Sequence, residues 1–259
     1  MSQTDPHQSL VVSYLTMRKA IGWLGMLLPF VLLIGNGCIN GLDILNSERW
    51  IYKQAPCYVK YTADPLYKSS ISHYYYSTVG ELFTGTLCAV ALFMFCYKGH
   101  PKRHGEWGPS EGHMTNLAAF FALGVVIFPT SSDGCISDNI RTYLSTSFTG
   151  YIHFTFAALF FIALALLSMV YFRRSEQLQD FGKGKNDNFY LGCGITMLVC
   201  LTIIFIYAKF VEGRIEWLDK FPIIFIFEAV ALIAFGLSWL TKGRVDYLFI
   251  PKKLGLMKK

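Results

Sequence analysis

Charge is what this chain has least of. Only 15% of its 259 residues are Asp, Glu, Lys or Arg, where a soluble globular domain carries about 25%, so a fold that faces water on every side is excluded. Catalytic signatures are also missing. No His-x-x-x-His or His-Glu-x-x-His pair stands on an apolar segment, no Gly-x-x-x-x-Gly-Lys-Ser/Thr loop is present to cradle phosphates, and there is neither a nucleophile elbow nor an Asn-x-Ser/Thr acceptor. The run Phe181-Gly182-Lys183-Gly184-Lys185 reads as a flexible basic turn. No small-residue cleavage pattern follows the first apolar stretch, which is therefore expected to stay as a helix.

Hydrophobic length is what the chain has in quantity. Apolar residues make up 53% of it and the mean hydropathy is +0.40. Crossing a hydrocarbon layer takes about 20 mostly apolar residues, and six stretches qualify, near 19–38, 77–97, 115–130, 152–172, 189–210 and 221–241. Backbone amides facing lipid have no water to bond, so each stretch must be a helix. The expected fold is all-α, a single polytopic bundle of six transmembrane helices over 1–259, with a long external connection at 39–76. Thr115 and Asn116 are expected to cap the third helix and Pro129 to stop it; Pro222 suits the first turn of the sixth, and Pro29 should kink the first.

The basic residues alternate from side to side. Arg18, Lys19, Lys98, Lys102, Arg103, Arg173, Arg174, Lys183, Lys185 and six more beyond the last span fall on one face. The other holds Arg49, Lys53, Lys60, Lys68, Arg141, Lys209, Arg214 and Lys220, which makes fifteen against eight. By the positive-inside rule both termini are cytoplasmic. The net charge of +6 then reflects anchoring to anionic lipid; a nucleic-acid partner is not expected.

Few residues inside the apolar stretches carry chemistry. Ser70-Ile71-Ser72-His73-Tyr74-Tyr75-Tyr76-Ser77 leads into Glu81, and His73, Ser77 and Glu81 recur every four residues, as along one face of a helix. The tyrosines also suit an aromatic belt at the headgroups. Glu81 would lie about 12 Å beyond His73, at a depth where an unpaired charge costs about 3 kcal/mol or more. Glu228 reaches a similar depth from the start of the sixth span, His153 opens the fourth near the level of His73, and Asn36 and Tyr207 end spans at that level. These residues point to a polar pocket in the outer half of the bundle that binds a membrane lipid or amphiphile, with a non-enzymatic role favoured. Two readings stay open beside it. His73 and His153 could hold zinc in a lipid hydrolase, and Glu81 with Glu228 could serve a proton-coupled transporter, although no inverted repeat is visible. Haem ligation by the two histidines has no second pair to complete an electron path.

Two further groups invite bland readings. Gly99-His100-Pro101-Lys102-Arg103-His104-Gly105-Glu106, followed by Glu111 and His113, has spacing that could wrap a metal, but its glycines and prolines mark an irregular, solvated loop. Cys88, Cys96, Cys193 and Cys200 lie in spans as packed thiols, while Cys57 and Cys135 occupy different external connections and could form a disulfide, with Cys38 as a competing partner. Gly85 with Ala89 and Ala118 with Ala122 suggest close helix packing.

Taken together, Ser70 to Ser77 with Gly80 and Phe83, then Phe128-Pro129-Thr130, His153 with Ala157, Ala158, Phe160 and Phe161, and Glu228 through Phe235-Gly236-Leu237-Ser238-Trp239 resemble an uncharacterised family of bacterial multi-span membrane proteins. The resemblance covers nearly the whole chain. It implies the six-helix fold and residence in a bacterial inner membrane, and it brings no reaction with it. A looser likeness runs to a eukaryotic group that includes a GPI-anchor lipid-remodelling factor. Ser72, His73 and Ser77 are also faintly similar to the early part of the alkaline-ceramidase hydrolases, whose late histidine pair has no counterpart in this sequence.

Overall fold

The computed structural model describes residues 6–41, 68–77, 79–100, 102, 105, 108–131, 146–174, 186–215, 217–219 and 221–243, with side chains of the first helix described from 14 to 38 and of the fourth from 148. Among these residues the chain is all-helical. Six helices follow one another: α1 (Pro6–Gly41), α2 (Gly80–Cys96), α3 (Glu111–Ile127), α4 (Thr146–Leu166), α5 (Asp187–Ile206) and α6 (Ile223–Lys242). A short 3-10 turn, Ile71–Tyr76, precedes α2, and π-helical turns extend α4 through Leu167–Phe172 and α5 through Tyr207–Val211.

Four of the helical stretches, Tyr14–Cys38, Phe148–Phe172, Asp187–Val211 and Ile223–Lys242, are long and apolar enough to cross a membrane; α2 and α3 are shorter apolar helices of 17 residues. Their outward faces are as oily as their inward ones. Phe30, Ile34, Leu92, Phe120, Phe154, Phe205 and Ile226 are all exposed, an arrangement that water would punish and lipid accommodates.

The helices pack as a ring in chain order, and α6 closes it against α1. Neighbours run antiparallel, since Arg18 meets Lys242 while a Cβ on Gly25 would strike Phe235. One end of the bundle, here the terminal end, therefore gathers the start of α1 and the finish of α6. The opposite, distal end carries the 3-10 turn. Between them the interior is filled by Leu32, Phe83, Leu87, Leu232 and Phe235, with Trp239 towards the terminal side, all buried.

Glycine sets how closely the ring closes. A Cβ on Gly236 would lie 2.6 Å from the Gly22 carbonyl and 2.4 Å from Met26 Cβ, so α1 and α6 cross at a distance only glycine permits. Gly124 is packed in the same way under Phe156, and Gly194 under Met169. Of the small pairs read from the sequence, Ala118 and Ala122 are fully buried, but Gly85 faces outward with nothing within 4 Å.

Helix boundaries correct one expectation. Ser110, not Thr115 or Asn116, caps α3: its Oγ accepts from His113 N at 3.2 Å, directly after Pro109. Thr115 is inside the helix and bonds back to the Glu111 carbonyl. Pro129 does follow the end of α3, Pro222 stands immediately before α6, and α1 continues through Pro29. Cys193 and Cys200 are buried thiols, whereas Cys38, Cys88 and Cys96 are exposed free thiols. The candidate Cys57–Cys135 bridge, most of the long connection and the Phe181–Lys185 turn lie outside the described residues.

Candidate functional site

At the distal end Ser70 and the 3-10 turn meet the first turns of α6. The N-terminus of any helix leaves backbone N–H groups without partners, and here two helices satisfy each other. Ile71 N donates to Glu228 Oε2 at 2.6 Å, and the Ser70 hydroxyl donates to both carboxylate oxygens at 2.9 and 3.0 Å. In return Phe225 N, in the first turn of α6, donates to the Ser69 carbonyl at 2.9 Å. Ser70 also caps its own turn by accepting from Ser72 N. On the other flank the Tyr76 hydroxyl donates to the Thr130 carbonyl at 2.7 Å, which ties the turn to the end of α3.

His153 performs a similar task for α3. Its ring, only 1% exposed, places Nδ1 2.8 Å from the Phe128 carbonyl and 3.2 Å from that of Val125. Both partners are acceptors, so Nδ1 carries the proton and in the neutral ring Nε2 holds the lone pair. His73 is half-buried, with Nδ1 2.6 Å from Ser69 Oγ, and is near enough to act electrostatically on His153. Asn36, Lys68, Thr130 and Thr149 are buried polar residues at this same end.

The helical face expected for His73, Ser77 and Glu81 is corrected. His73 belongs to the 3-10 turn, while Ser77 ends that turn in extended conformation, its hydroxyl donating to the Tyr74 carbonyl. The chain then turns sharply into α2 at Gly80, where a Cβ would lie 2.5 Å from the Tyr75 carbonyl. This break rotates Glu81 outward. It is exposed on the stripe that continues through Leu82, Gly85, Cys88 and Leu92, in the first turn of α2, where a carboxylate suits the positive helix end. Thus Glu228, His73 and His153 gather around the turn, and Glu81 stands on the outer face.

A second polar cluster occupies the terminal end. Glu111, the first residue of α3, is 4% exposed. Its carboxylate accepts from the Tyr97 hydroxyl at 2.5 Å and from His100 N at 3.2 Å, lies 3.4 Å from His100 Nδ1, and faces Lys242 Nζ at 3.9 Å. Lys242, itself buried, also sits 5.0 Å above the Phe172 ring. The Arg18 guanidinium lies 4.3 Å over Tyr14 and 5.3 Å over Tyr97, and Nη1 donates to the Lys242 carbonyl, an acceptor that the end of α6 would otherwise leave open. Trp239 wedges between Tyr97 and Phe172.

Sequence reading places none of these residues in a site. Arg18 and Lys242 count there only as basic flanks, and Glu111 is assigned to a solvated loop. The glycines of that loop do adopt left-handed backbone, with φ of +63° at Gly99, +90° at Gly105 and +83° at Gly108. Of these Gly99 packs against Glu111, whose side chain would stand 2.8 Å from a Cβ there. The one local signal is Pro109-Ser110-Glu111, a cap and an acidic first turn opening an apolar run.

An all-helical ring with apolar outer faces and polar ends defines a multi-pass membrane protein. Residues 59–244 match the model of the family described as protein of unknown function (DUF998), and with most of its length covered the chain belongs to that family. No curated protein and no solved structure matches it.

Proposed function

We propose that the chain crosses the bacterial inner membrane six times with both ends in the cytosol, and that its external mouth binds the head of a lipid or lipid-like amphiphile without performing catalysis. Helices of 17 residues reach about 25 Å, at the short limit for a crossing. An even number of antiparallel helices returns both ends to one side, which the fifteen-to-eight basic bias assigns to the cytosol. The distal end is then external.

The observation that carries the binding role is His153. An imidazole buried at that depth, with Nδ1 committed to carbonyls, offers Nε2 as an acceptor for a hydroxyl or ammonium head beneath the turn that Glu228 fastens. The zinc alternative needs at least a third ligand beside His73 and His153, and among the described residues no three His, Cys, Asp or Glu side chains group to hold a metal. The proton-coupled alternative relied on two facing carboxyls, and Glu81 and Glu228 occupy different faces of the distal end.

Lipid retained by protein purified in mild detergent, counted by native mass spectrometry, tests the reading. We expect a defined lipid adduct in the wild type that falls at least fivefold in His153→Leu. An adduct untouched by that change, with folding intact, sinks the proposal.

A further inference from the structure

We propose that the terminal end holds a second site, for an oxyanion of the phosphate type, seated against Arg18 where the α1–α6 seam ends. The argument begins with an orphan. Arg18 is 4% exposed, and while Nη1 bonds the Lys242 carbonyl, its buried Nε has no hydrogen-bond partner. A buried donor without an acceptor is unfavourable, and Nε belongs to the flat edge with which guanidinium groups grip phosphate in a fork. Arg173, which follows the π-helical turn of α4, also has a buried Nε without a partner. Phe172, just before it, lies under the Lys242 ammonium.

Charge points the same way. Among the described residues this end brings together the cations Arg18, Lys242, Arg173 and Arg174, against Asp187 at the start of α5 and Glu111, which is 3.9 Å from Lys242 and already accepts from Tyr97 and His100. An anion beside Arg18 would supply the acceptor that Nε lacks and offset part of the excess positive charge at this end. A π-helical turn, a feature frequent at functional sites, shapes the wall of this cluster through Phe172. The anion has two sources with one chemistry: the headgroup phosphate of an anionic lipid in the adjoining leaflet, or free phosphate.

This site lies about 21 Å along α6 from Glu228 and does not depend on the distal reading. Its test uses the full chain in mild detergent and follows the thermal midpoint with phosphatidylglycerol, phosphatidylcholine or inorganic phosphate added. We expect phosphatidylglycerol to raise the midpoint by about 3 °C or more, as a ligand of the native state does, and phosphatidylcholine to have little effect. Arg18→Gln should abolish the rise, whereas Lys102→Gln, at an exposed position, should keep it. A matching rise with inorganic phosphate supports the site and assigns it to a free anion; silence with phosphate supports it and assigns it to lipid. Equal stabilisation by phosphatidylcholine, or a rise that survives Arg18→Gln, overturns the proposal. Should Arg18→Gln fail to fold, Arg18→Lys keeps the charge without the fork and must weaken the rise at least threefold, or the site is rejected.

Discussion

At the distal end a half-buried acid, Glu228, meets a serine hydroxyl and a backbone amide; at the terminal end the buried Glu111 meets a lysine, a tyrosine and a histidine, with Arg18 close behind. The neutral set fastens one short turn to one helix. The ionic set gathers α1, α2, α3 and α6 at once, with Phe172 of the α4 extension packed beside it. Hydrogen bonds from uncharged donors to a carboxylate are worth about 1.5–3 kcal/mol each and can be replaced by similar groups, whereas breaking a buried ion pair leaves a buried charge without its counter-charge. The terminal end should therefore act as the rigid base of the bundle, and the distal turn as the part that can give way to a ligand.

The largest test of that contrast is Glu111→Leu, which removes the carboxylate facing Lys242 and the acceptor of the Tyr97 hydroxyl and should destabilise the protein by about 3 kcal/mol or more in detergent denaturation. Adding Lys242→Met to it should recover part of the loss. Strict additivity of the two changes would break the comparison, because the pair would then not be coupled. A smaller effect is expected at the other end. Glu228→Leu leaves Ile71 N and the Ser70 hydroxyl without their acceptor and should cost about 2 kcal/mol, while Glu228→Gln should retain most of the stability, since an amide can accept from Ile71 N and donate to Ser70 Oγ. If Gln is as damaging as Leu, the distal end is ionic after all. Smaller again, Ser110→Ala removes the α3 cap and should cost about 1 kcal/mol, and Glu81→Gln on the outer face should change stability by less than about 0.5 kcal/mol.

The six helices were legible because each is built on a long apolar run, so their positions follow from hydrophobicity alone. Even so, α3 starts earlier than its apolar run, at Glu111, because the helix begins where Ser110 can cap it and not where apolarity begins. Glu228, His73 and His153 stood out in the sequence as polar residues in apolar surroundings, and the structure brings them around one turn. Glu81 misled for a specific reason: a four-residue period has meaning only within one continuous helix, and Ser77 and Gly80 interrupt it. The terminal cluster was hidden because Arg18, Tyr97, Glu111 and Lys242 are spread over most of the chain and lie at helix ends, where charged residues are ordinarily solvated.

Closure of the ring by its first and last members has a consequence for biogenesis. The main partner of α1 is α6, which the ribosome delivers after α2 to α5, so the glycine face at Gly22 and Gly25 must wait among lipids or insertion factors until then. A chain arrested before Ile223 would keep that seam open and become a substrate for membrane quality control, whereas two separately expressed pieces divided within 175–185 could still assemble.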